Sequence, residues 1–131
     1  MSLQQRQELN FSLNDEIVTP FAYGPKRADI TLIGWGSTHG AIREAMYILR
    51  KEGNSINMLH LSELWPFPSE TVTEVLKKSK RRYVIESNAT GQLARLIRME
   101  TGIEATGKIL RFDGRPFTPA YIVAAVKKEE Y

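Results

Sequence analysis

The side chains that could do chemistry are few. His39 and His60 are the only histidines, and the chain of 131 residues has no cysteine. They fall on different predicted elements, with no acidic residue at ligand spacing, so they do not read as a metal site. His60 is expected as a satisfied, partly buried strand residue, and His39 as a solvated residue in the first turn of a helix. Without cysteine there is no thiol nucleophile, no Cys-based zinc site and no thiolate to hold an iron–sulfur cluster. Glu86 closes a predicted strand. Buried alone, it could act as a general acid or base. The plainer expectation is a carboxylate satisfied by backbone amides at the start of the next helix, where the dipole favours an anion. No G-x-S-x-G elbow is present for a serine nucleophile.

Gly34-x-Gly36 follows a predicted strand and opens a helix, and Glu63 lies near the end of the second strand, as in a dinucleotide site. The third glycine is out of place, however. His39 stands at its usual position, Gly40 comes one residue late, and Trp35 fills the first gap. A tight strand-to-helix turn with Ser37 as the cap is the simpler reading. Trp65, Phe67 and Phe117 lie on loops stiffened by Pro66, Pro68 and Pro116. They either plug the domain's own edge or bury against a partner, and the sequence leaves both open. Arg115, between Gly114 and Pro116, offers a fork of N–H donors for a contact between domains.

These groups need elements to position them. Ile30–Trp35 is apolar on both faces, as in a central parallel strand. Ile42, Ala45, Met46 and Leu49 form a helical stripe, and Gly53 is placed to end it. Ile56–Leu61 is a second strand. Ser69 is expected to cap a helix with Glu70 in its first turn and Val72, Val75 and Leu76 buried. Tyr83–Ile85 is a third strand. Asn88 or Thr90 would cap a helix burying Leu93, Leu96 and Ile97 and closed by Gly102. Ile109–Phe112 is a fourth strand, and Thr118-Pro119 opens a last helix through Val126. The alternation implies an α/β fold of three layers, α/β/α, around a parallel sheet. Ligands and partners of such sheets meet the carboxyl ends of the strands, where all the loops above lie.

Composition bounds the rest. Hydrophobic content is 42% and charged content 25%, ordinary for one globular domain. Residues 1–16 are a polar tail or linker remnant with no sign of a secretory leader, and 17–131 form a single domain. Ile17–Tyr23, interrupted by Pro20, permits an edge strand. The net charge of +3 is too small to argue for nucleic acid. The cluster Lys77, Lys78, Lys80, Arg81 and Arg82 follows a helical stripe, where cations complement the helix dipole. No apolar run approaches the roughly 18 residues of a membrane span.

Four segments carry a resemblance. They are Gly34–Thr38; Leu59-His60-Leu61 running into Trp65-Pro66-Phe67-Pro68; Glu86-Ser87-Asn88-Ala89-Thr90-Gly91-Gln92 continuing to Leu96; and Asp113-Gly114-Arg115-Pro116-Phe117-Thr118-Pro119. In this order they resemble the alpha subunits of 2-oxoacid:ferredoxin oxidoreductases, most of all the 2-oxoglutarate type, over about residues 17–126. Ala89 and His39 depart from or vary within that pattern. The resemblance implies a transketolase C-terminal domain-like fold, a mostly parallel sheet with one antiparallel edge strand, for which Ile17–Tyr23 is the candidate. It implies a parent enzyme that oxidatively decarboxylates a 2-oxoacid with coenzyme A to acyl-CoA and carbon dioxide while reducing ferredoxin. That enzyme would use thiamine pyrophosphate, magnesium and iron–sulfur clusters.

This chain holds no Gly-Asp-Gly thiamine motif, since Phe112 precedes Asp113-Gly114. The resemblance therefore assigns it no catalytic, cofactor-binding or metal-binding residue. Its role would be assembly, beside the N-terminal thiamine-type domain of the same subunit and a thiamine-binding beta subunit, with ferredoxin a partner of the whole. Nucleic acid and membrane are not expected partners, and the location expected is cytoplasmic. Candidate interface or loop residues are Trp35, Gly36, Ser37, Trp65, Phe67, Glu86, Asn88, Gln92, Asp113, Arg115 and Phe117. Two alternatives stand: a small nucleotide- or coenzyme A-binding module using the Gly34–Ser37 turn, and the C-terminal domain of another thiamine enzyme.

Overall fold

The computed structural model describes residues 22–61, 67–86, 92–111 and 116–130. The strands are β1 (Ala22–Tyr23), β2 (Ala28–Trp35), β3 (Ile56–Leu61), β4 (Ser79–Glu86) and β5 (Gly107–Leu110). The helices are α1 (His39–Lys51), α2 (Ser69–Lys77), α3 (Gln92–Thr101) and α4 (Pro119–Glu130), and a 3-10 turn, Gly36–Thr38, leads into α1. The sheet order is β1-β3-β2-β4-β5. β1 runs antiparallel to β3, and the other pairs are parallel. The mostly parallel α/β sheet with an antiparallel edge strand is therefore present, and Ala22–Tyr23 is the part of the proposed edge segment that lies within the described residues.

Alternation along β2 divides the core. Ile30 and Leu32 face one layer, where Ile42, Ala45, Met46 and Leu49 of α1 meet Ile122, Val123 and Val126 of α4. Ile33 faces the other layer, beneath Val72, Val75 and Leu76 of α2 and Leu93, Ala94 and Ile97 of α3. Apolar residues at helical spacing have nowhere else to go once the sheet lies between them. The α3 stripe differs from the expectation in one place. Ala94 is buried, and Leu96 is only half-buried.

Element ends also moved. β4 starts at Ser79, not Tyr83, because Ser79, Arg81 and Arg82 pair with Ala28, Ile30 and Thr31 of β2. Lys80, Arg81 and Arg82 of the basic cluster are thus strand, and only Lys77 and Lys78 sit at the helix end. β5 begins at Gly107 and ends at Leu110, earlier than expected. Ser69 is the first residue of α2 and not its cap. Pro68 holds that position with no side-chain bond, and its carbonyl accepts the Val72 N–H at 3.0 Å. The cap position of α1 is Thr38, one residue after the expected Ser37, and the Thr38 hydroxyl donates to the Trp35 carbonyl at 3.1 Å. Other ends match. Gly53 follows α1 with φ 96°, and the Thr118 hydroxyl accepts the Tyr121 N–H at 3.1 Å.

Candidate functional site

The strand order locates the site. The helix after β2 covers one face of the sheet and the helix after β4 covers the other, so the carboxyl ends of these neighbours part. A crevice opens at such a switch point. Here it measures ≈ 380 Å³ and is walled by Trp35, Leu96 and Met99, with Glu86 and Leu93 beneath and Gln92 and Arg95 on the rim. Trp35 is 43% exposed and Met99 79%, large apolar surfaces with little cover.

Glu86 is only 2% exposed. Its Oε1 accepts the Leu93 N–H at 2.7 Å and its Oε2 the Ala94 N–H at 3.4 Å. These are orphan amides of the first turn of α3, so the carboxylate from the preceding strand does the work of a cap. A group held this way closes the start of the helix. It also places negative charge at the helix end where a phosphate would have to sit.

The glycines of the first loop have structural duties as well. Gly36 has φ 71°, a left-handed conformation, and a Cβ there would touch nothing within 4 Å. At Gly34 a Cβ would stand 2.3 Å from Ile42 Cδ1 and 2.9 Å from Thr38 Oγ1. The missing side chain lets α1 approach β2.

The other candidates separate. Phe117 is 7% exposed, belongs to the core and meets Tyr121 edge-on at 5.6 Å. Phe67 packs part-buried against the second core cluster. Both rings find apolar surface inside the domain, Phe117 more fully than Phe67. Gln92 is exposed at the start of α3, on the crevice rim. Trp65, Asn88, Asp113 and Arg115 lie outside the described residues, as does Thr90.

The two histidines are corrections. His39, expected as solvated, is half-buried, and its ring lies edge-on to Tyr23 at 5.5 Å and to His60 at 4.6 Å. Burial lowers the His39 pKa, with Arg43 adding to the effect. Burial also lowers that of His60, and His39 adds to it. His60 is part-buried as expected but not satisfied: its Nδ1 has no hydrogen-bond partner among the described residues. The register that pairs Gly34 with His60 brings this ring beside the start of α1, where His39 lies. Only a reading of β2–β3 pairing could have found it.

Among the described residues no group of three or more His, Cys, Asp or Glu side chains converges to hold a metal ion. Nor is any helix long and apolar enough to cross a membrane.

Comparison with known proteins gives the chain its family. Residues 28–122 match the model of the pyruvate:ferredoxin oxidoreductase core domain II. The chain is 35% identical over 106 residues to 2-oxoacid:ferredoxin oxidoreductase 2, subunit alpha, of Aeropyrum pernix, covering 81% of this chain and 16% of that one. It is similar to a solved 2-oxoglutarate:ferredoxin oxidoreductase from Magnetococcus marinus, whose structure has 2-oxoglutarate, coenzyme A and succinyl-CoA bound. That likeness has a TM-score of 0.79 and 36% identity, over 98% of this chain and 23% of that one. A transketolase from Campylobacter jejuni shares the fold alone, with a TM-score of 0.63 at 18% identity over 88% of this chain and 20% of that one. The chain thus spans a small part of its relatives. With the family model matched from the first central strand into the last helix, the chain belongs to the pyruvate:ferredoxin oxidoreductase core domain II family.

Proposed function

We propose that this chain is the C-terminal domain of the alpha subunit of a 2-oxoacid:ferredoxin oxidoreductase, of the 2-oxoglutarate type, acting in assembly and not in catalysis by itself. The parent enzyme would convert a 2-oxoacid and coenzyme A to acyl-CoA and carbon dioxide and pass the electrons to ferredoxin, in the cytoplasm. One observation carries the assembly role. At the switch point the buried carboxylate of Glu86 is spent on helix amides, while Trp35 and Met99 stand exposed around it. Exposed aromatic and thioether groups around a recess fit a protein surface better than a charged cofactor.

The chain has no cysteine for a cluster, and the described residues hold no group able to take a metal. Thiamine pyrophosphate, magnesium and the clusters are therefore assigned to the N-terminal domain of the subunit, the thiamine-binding beta subunit and other parts of the enzyme. The crevice is assigned to contact with the rest of the alpha subunit.

The test is direct. The chain alone, supplied with 2-oxoglutarate, coenzyme A and thiamine pyrophosphate, should reduce neither ferredoxin nor a dye. It should bind its separately expressed N-terminal neighbour, and Trp35→Ala should weaken that binding. Turnover by the chain alone, or micromolar coenzyme A or NAD binding seen in tryptophan fluorescence, would overturn the proposal in favour of a small binding module.

A further inference from the structure

The ring cluster beside β1 lies apart from the crevice and has no part in the assembly reading. Three elements meet there through aromatic edges: Tyr23 of β1, His39 in the first turn of α1 and His60 near the end of β3. Within the described residues β1 pairs with β3 through Ala22 with Leu59 and Tyr23 with Met58. The ring contacts add to that hold.

His60 makes that hold conditional. Its buried Nδ1 has no partner among the described residues. A neutral imidazole can leave one nitrogen as a bare lone pair, but an imidazolium must donate from both. A proton on His60 would therefore bury a donor with nothing to accept it, next to His39. The groups that act on the pair come from each side. Arg43 of α1 raises the local positive potential at His39, and His39 does so at His60. Tyr23 of β1 presents its ring to His39, and the Arg43 guanidinium lies 5.4 Å from the centre of the same ring.

We propose that the Tyr23–His39–His60 stack is a proton-sensitive latch. With both imidazoles neutral it pins β1 and the first turn of α1 to β3. Uptake of a proton opens it and frees the edge of β3, while the parallel core stays folded. Burial and the neighbouring positive charges both oppose protonation of the closed form, as the latch requires. An opening that takes up one proton becomes up to about tenfold more populated per pH unit between the closed and open pKa values.

Hydrogen exchange on the whole chain tests this. Between about pH 7.5 and 5.5, after correction for intrinsic rates, protection of the β1–β3 amides should fall by up to about tenfold while that of Val84 and Ile85 in β4 holds. His60→Phe keeps a ring in the stack without a titrating group, and should remove the pH dependence; His39→Phe should reduce it. A nitrogen-15 titration of the wild-type imidazoles, which needs no variant, should place both below the ordinary value near 6.5. Unchanged β1–β3 protection in the wild type, the same loss in both variants, or imidazoles titrating at or above 6.5 would each overturn the latch.

Discussion

The crevice between β2 and β4 and the ring stack beside β1 both bury a polar side chain at one sheet, and they treat it in opposite ways. Glu86 receives two backbone N–H groups and closes the start of α3. His60 keeps a buried nitrogen without a partner among the described residues. A satisfied group adds rigidity, since removing it strands its donors. An unsatisfied one leaves the local structure dependent on conditions. On the proposed latch, the centre of the sheet would stay fixed while its edge responds.

The sharpest way to break the comparison is Glu86→Ala. It strands the Leu93 and Ala94 amides, and stability should fall by about 1.5–3 kcal/mol, as for hydrogen bonds to a charged group. Urea unfolding measures it, and Glu86→Gln, which keeps one acceptor, should lose less. No loss in either would mean that the carboxylate is not the cap. Gly36→Ala comes next. No neighbour would touch the new methyl group, so the cost is that of a left-handed backbone alone, about 1–2 kcal/mol.

The pH response of the edge follows. Both histidine pKa values are lowered in the native state from about 6.5. The unfolded chain therefore binds more protons as pH drops through that value, and stability falls there, levelling once the pH is below the native values. The urea midpoint should decline between about pH 7.5 and 5.5, and less steeply in His60→Phe. A midpoint that rises over this range would remove the contrast between the regions.

Smaller still is Trp35→Ala. With 43% of its surface already exposed, its loss should change stability by no more than about 1 kcal/mol. Its effect belongs to association with the rest of the subunit. Lys80→Ala sets the floor. Its contact with Asp29 is 3.5 Å long and open to water, so a change under about 0.5 kcal/mol is expected.

Much of this was legible along the chain. The buried stripes of α1 and α2 were the expected ones, as were β3 and the end of α1 at Gly53. The reading of Glu86 as a carboxylate on helix amides also held. The failures have a common form. Ser37 and Ser69 had the right chemistry for caps, but a backbone carbonyl and a 3-10 turn took those places. For Phe67 and Phe117 the sequence left core packing and partner contact both open, and both rings pack against the core clusters. Leu96 fitted the helical period, yet the sheet beneath α3 left it at the crevice.

What the residues determined by themselves was local: which segments alternate, which carry a helical stripe, where glycine ends a helix, and that no thiolate is present. Tertiary structure alone decided that β2 lies between β3 and β4. That order opens the crevice at Trp35 and sets His60 beside Gly34, within reach of His39. The reason is physical. Periodicity reports which face of a segment avoids water, whereas the choice of neighbouring strand and register is made by long-range packing, which leaves no mark at the spacing of a single helix or strand.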